Sequence, residues 1–114
     1  MSPRQMALAI LSDFGGLNVG STGAGIEMAK GDIRFFYGLK PEANAVLRRW
    51  QHQTGDVEAV ANAHRDHIIV FVGAHGLYAF TDPDDQLYHL GSDFSVAMEK
   101  LLLGLSFGKP MARD

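Results

Sequence analysis

Residues 68–72, Ile68-Ile69-Val70-Phe71-Val72, are β-branched or aromatic at every position, a run too apolar to be exposed on both faces of a sheet. It is read as the central strand of whatever sheet the chain builds. Two strand candidates of matched length follow, residues 77–81 and 86–90, after a tight connection at Ala74-His75-Gly76. Between them lies Asp82-Pro83-Asp84-Asp85. An Asp that bonds its own backbone, a proline that fixes φ and further Asp residues that tolerate turn dihedrals are what a reverse turn requires, so a hairpin is predicted. Residues 57–62 are a further strand candidate on the N-terminal side.

Helical signals surround this sheet. Apolar residues at 6, 7, 8, 10 and 11 after Pro3 predict a short helix over residues 3–12, stopped at Asp13-Phe14-Gly15-Gly16 because paired glycines supply positive φ cheaply. Leu17-Asn18-Val19 then enters a strand. The glycine-rich residues 20–25 lack the closing Lys-Ser/Thr pair that would hold a nucleotide in a phosphate loop. Residues 25–30 alternate apolar and polar, and residues 32–37 are extended and aromatic-rich, with a bend at Lys30-Gly31-Asp32. Ala43, Val46, Leu47 and Trp50 stand at helical spacing after Pro41, predicting a central helix over residues 41–53, with Arg48, Arg49 and Gln51 outside and Gly55 at its end. Ser92 or Asp93 is the N-cap of a last helix carrying Phe94, Val96, Ala97, Met98, Leu101 and Leu102, which Gly104 ends. The order is that of an α+β fold, a mostly antiparallel sheet with helices packed on one side. A single domain is expected over residues 1–108, with residues 109–114 frayed.

At 114 residues and 46% hydrophobic content the chain can bury one core without covalent staples. There is no cysteine, which excludes disulfides and thiolate zinc sites, and the apolar stretch Met6–Leu11 is too short for a signal-peptide core or a membrane span. A cytoplasmic protein without membrane association is expected. The net charge of −3 speaks against direct nucleic-acid binding, which needs clustered Lys and Arg. Charge is also unevenly placed: residues 54–104 hold eight acids against two bases, a net −6, whereas residues 1–53 hold four acids against six bases, a net +2. An acidic half suits a cationic partner.

Residues with catalytic or metal-binding chemistry form few patterns. His64 and His67 are three apart, yet they lead into a strand, where such a pair points to opposite faces, and no HExxH motif completes a site. His52, His75 and His89 are expected at the surface or in loops. Asp82, Asp84 and Asp85 supply only part of a calcium loop, and a hairpin tip in water lacks the walls that would shift a carboxylate pKa for acid–base work. None of Ser12, Ser21, Ser92, Ser95 and Ser106 lies in a nucleophile elbow. No metal, cofactor or catalytic group is therefore assigned. Trp50 is read as core. Tyr78 and Tyr88, on opposite strands of the hairpin, are candidate anchors of an aromatic-acidic surface for a basic partner, together with Asp82, Asp84, Asp85 and Asp93.

Leu11-Ser12-Asp13-Phe14-Gly15-Gly16-Leu17 is similar to the early signature of the SUKH superfamily, named for the Smi/Knr-type proteins and their bacterial immunity relatives. His75-Gly76-Leu77-Tyr78, the acidic turn, Leu87-Tyr88-His89-Leu90-Gly91-Ser92 and a helix closing Leu101-Leu102-Leu103-Gly104-Leu105 resemble the close of its third subgroup. The resemblance spans about residues 8–105. It implies an α+β domain that, in bacteria, binds and neutralises a cognate polymorphic toxin without catalysis of its own; taken with the net −6 of residues 54–104, the expected toxin is a nuclease or another enzyme with a basic substrate groove. Gly15, Gly16, Gly76 and Gly91 are the positions where it implies demanding backbone geometry. Two other readings stay open: a regulatory or scaffold binding domain without a toxin, and a metal-dependent enzyme using His64, His67 and nearby carboxylates.

Overall fold

The computed structural model describes residues 2–81 and 84–112. Six strands form one antiparallel sheet in the order β1-β4-β5-β6-β7-β8, built from Asn18–Val19, Ile33–Phe35, Val57–Ala63, Ile68–Gly73, Gly76–Thr81 and Gln86–Gly91. The remaining strands, β2 (Gly23–Ala24) and β3 (Ala29–Lys30), make a separate two-stranded ladder. Helix α1 spans Pro3–Phe14 and α4 spans Phe94–Leu103. Between them a continuous helical segment consists of α2 (Pro41–Asn44), a 3₁₀ helix η1 (Ala45–Trp50) and α3 (Gln51–Thr54). The fold is α+β, as the order of signals predicts, and β6 holds an interior position in the sheet.

Local chemistry explains each boundary. Ser2 and Gln5 form a reciprocal capping box ahead of α1 (Ser2 N–H to Gln5 Oε1 2.9 Å, Gln5 N–H to Ser2 Oγ 3.1 Å), with Pro3 in the first turn, where its missing N–H costs nothing. The central segment tightens to 3₁₀ directly after Asn44, which is tied to the sheet. Its side chain donates to Glu58 Oε1 (2.6 Å) and accepts from Ala59 N–H (2.7 Å), tying the chain to β5. A 3₁₀ turn eclipses residues i and i+3, so Leu47 and Trp50 both point inward, each 1% exposed.

The sheet register fixes which helix covers which face. Phe35 pairs with Ala61, Ala61 with Val70, and Val70 with Ala79, so these four share a face; the paired neighbours Ile69 and Phe80 share the opposite one. Phe14 of α1 stacks on Phe35 (5.3 Å) and on Phe94 of α4 (5.2 Å), which joins both long helices to the first face. Trp50 meets Phe80 edge-on at 5.5 Å, which puts the 41–54 segment on the second. The long helices share one side as expected, but the central segment does not join them. The physical reason is the continuous apolar run of β6, which leaves two faces to be covered.

Two further expectations are corrected. Residues 25–30 do not form one strand: the N–H groups of Ile26, Glu27 and Met28 donate to the carbonyls of Leu103 and Gly104 at 2.8 Å each, so this stretch caps the C-terminus of α4. Gly25 is required there, since a Cβ would stand 2.6 Å from the Gly104 Cα. The C-terminal tail is docked through Ala112 rather than frayed, with Met111 N–H donating to Leu87 O and Gln53 Nε2–H to Ala112 O, both at 2.7 Å.

Candidate functional site

The β7–β8 hairpin closes with Thr81 opposite Gln86, so the Asp-rich tip occupies the connection between the two strands. Asp82 lies outside the described residues. Asp84 is exposed. Asp85 takes a left-handed φ of +53°, which Asp tolerates, and its carboxylate pairs with the Arg49 guanidinium of the central segment. Both partners are well exposed, so this pair is worth at most about 1 kcal/mol. Its larger consequence is electrostatic, because it cancels one of the tip's charges.

The other residues assigned to an acidic-aromatic surface do not assemble there. Asp93 stands beyond the far end of β8, roughly 17–20 Å along a strand of that length, and its Oδ1 accepts Val96 N–H at 2.9 Å as the N-cap of α4. Tyr78 pairs with His89 and Tyr88 with Ala79, so the two tyrosines lie on opposite faces of the sheet. Tyr78 is 2% exposed beneath the His89 ring (5.2 Å, edge-on), and burial pushes its phenol pKa up; it is a core residue and not a surface anchor. Tyr88 is half-buried, donates to Gln86 Oε1 (2.8 Å) and meets Phe107 edge-on at 5.6 Å. Of the predicted set, Tyr88 and Asp84 share a shallow cavity of about 250 Å³, and Asp85 adjoins it in sequence.

A different concavity brings together what the sequence keeps apart. A groove of about 280 Å³ runs between α1 and the start of α4, walled by Met6, Ile10, Phe14 and Phe94 and carrying the carboxylates of Asp13 and Asp93. Among the described residues no Lys, Arg or His lines it. Asp13 was not singled out in the sequence, although Met6, Ile10 and Asp13 recur at helical spacing and could have marked one face of α1. Two larger and more polar grooves exist, one of about 400 Å³ lined by Arg4, Asn44, Asp56 and Glu58, the other of about 420 Å³ beside Arg34, Tyr37 and Lys40.

The histidine pair lies in the β5–β6 turn, where His64, Arg65 and Asp66 all take left-handed φ values (+51°, +55° and +67°). Such residues cost of order 1–3 kcal/mol each unless held from outside. Here Asp32 holds the turn, its backbone carbonyl accepting His64 N–H (2.9 Å) and its Oδ1 accepting Arg65 N–H (3.0 Å), while Arg34 pairs with Asp66. His64 turns inward against Gly31 and Phe107, and its Nε2 is buried with no hydrogen-bond partner among the described residues; His67 is exposed. Among the described residues no three His, Asp or Glu side chains gather as a metal-ligand group.

Desolvation lowers the His64 pKa below its usual value, outweighing the nearby Asp32 charge, which raises it. The unfolded chain therefore takes up this proton at higher pH than the folded one. The resulting stability is full above the unfolded pKa of about 6.5 and is lost as pH falls from there through the folded value. Urea midpoints should fall between pH 7.5 and pH 5, and His64→Asn, which keeps a residue tolerant of left-handed φ, should show a smaller fall. Equal falls in both proteins would place the titration elsewhere.

No family model, curated protein or solved structure matches the chain. No helix among the described residues is long and apolar enough to cross a membrane.

Proposed function

We propose that this chain is a binding module of the immunity type, which neutralises a cognate bacterial toxin domain by occluding a cationic groove with its carboxylates. The observation that carries the reading is the net −6 of residues 54–104, held on a sheet covered on both faces. Asp66 and Asp85 are drawn into pairs with Arg34 and Arg49, while Asp56, Asp84 and Glu99 remain exposed. The resemblance to the SUKH immunity proteins points the same way. Charge of this kind speeds encounter with a cationic partner and discriminates against anionic ones.

The direct test is co-expression with the toxin domain encoded beside it. Restored growth and a stable complex are expected; a toxin that still kills and that fails to co-purify rejects the immunity reading. Asp84→Lys probes the hairpin end more cleanly than Asp85→Lys, which would also break the pair with Arg49 and place lysine at a left-handed φ. At low salt it should slow association by about tenfold, with little effect at high salt. An unchanged association rate at low salt removes the hairpin end from the contact.

A further inference from the structure

We infer that the α1–α4 groove is the docking site for a short amphipathic segment of a protein partner, one that carries an apolar anchor side chain with a Lys or Arg about a turn away. The inference deepens the reading of a cationic partner, on which it rests, and moves the principal contact from the hairpin tip to the opposite end of β8.

Three independent features support it. The walls are side chains that are only partly covered: Met6, Phe14 and Phe94 are half-buried, although each packs against the core. At about 280 Å³ the groove falls below the range of about 300–1,000 Å³ usual for small-molecule pockets, and it suits a side chain better than a cofactor. Its charge is of one sign and locally unbalanced. Asp13 sits in the last turn of α1, where the helix dipole is negative and a cation is favoured, and that turn holds no basic residue. At the opposite wall Asp93 uses Oδ1 for the α4 cap, so its second carboxylate oxygen lies outside that bond. A guanidinium or ammonium between these carboxylates would satisfy charge that the described residues leave uncompensated, and arginine would do so with paired hydrogen bonds. The same rim repels phosphate backbones and anionic lipid.

The test uses the whole chain, labelled with nitrogen-15, and two synthetic dodecapeptides, one of mixed Lys and Leu in helical repeat and its Glu–Leu counterpart. The Lys–Leu peptide should shift amide resonances of residues 6–14 and 92–97, and the Glu–Leu peptide should not. Asp13→Lys should weaken the Lys–Leu peptide by about tenfold or more. Its melting temperature should stay level or rise, because a cation suits the end of α1. Glu42→Lys, on the exposed side of the 41–54 segment, should leave this binding unchanged. Equal binding of both peptides, shifts centred on Asp84, indifference to Asp13→Lys, or occupation of the groove by a second copy of the chain would each overturn the inference. The two readings fail separately: a toxin complex indifferent to Asp13→Lys sinks the groove alone, whereas groove-specific peptide binding without any toxin complex sinks the immunity reading alone.

Discussion

Trp50→Ala should destabilise the protein by about 3–5 kcal/mol, the range for truncating a fully buried aromatic side chain. Trp50 is 1% exposed, rests edge-on against Phe80 of β7, and is the C-terminal end of the 3₁₀ turn that also buries Leu47. Without the indole the second face of the sheet loses the group that anchors the 41–54 segment to it. For a domain whose total stability is about 5–15 kcal/mol, that loss removes from about a fifth to all of it. Trp50 is the only tryptophan, so unfolding must be followed by circular dichroism and not by intrinsic indole emission. Trp50→Phe, which keeps a ring against Phe80, should recover much of the difference. A loss below about 1 kcal/mol for the alanine variant would mean that the segment does not cover this face.

The second large effect is expected at Gly76. In the β6–β7 connection neither Ala74 nor His75 takes a positive φ, so the left-handed geometry falls on Gly76, at +128°. An alanine there adopts a backbone conformation costing about 1–3 kcal/mol and also drives its Cβ into the carbonyl oxygen of Gly91. Gly76→Ala should therefore cost about 3 kcal/mol or more in urea denaturation. Gly38→Ala is the control, since a Cβ at that position meets nothing within 4 Å and the change should stay within about 0.5 kcal/mol. Comparable effects of the two substitutions would contradict the assigned backbone geometry. The position also bears on binding, because Gly91 and Ser92 against Gly76 lead directly into the Asp93 cap, so a shift there propagates to the α1–α4 groove.

The strands were legible wherever local chemistry and burial agree. Residues 68–72 announced an interior strand because no surface strand is apolar at every position, and Asp-Pro-Asp-Asp announced a hairpin because turn dihedrals select those residue types. An N-cap at Ser92 or Asp93 was legible from its place before an apolar helical run, and the structure gives the role to Asp93. Residues 25–28 were misread for a specific reason: the alternation of 25–30 mimics one strand, while the N–H groups of Ile26, Glu27 and Met28 are spent on carbonyls at residues 103 and 104, nearly eighty positions away, and only Ala29–Lys30 pair as a strand. The tail was misread similarly, since the acceptor of Met111 is Leu87.

The candidate site was less legible than the fold. Four carboxylates and two tyrosines close in sequence suggested one surface, yet β8 carries Asp93 a strand's length away from Asp84 and the pleat sends Tyr78 and Tyr88 to opposite faces. The amino-acid order by itself determined the α+β class, the interior strand, the hairpin, the final helix and the charge imbalance, because each depends on propensity or composition within a few neighbouring residues. Only the tertiary structure decided that the central helical segment crosses to the second face, that Asp85 is neutralised by Arg49, and that Asp13 meets Asp93 across an apolar groove. Those outcomes depend on contacts between residues far apart in the chain, which are set by the register of the sheet and by the need to bury both of its faces.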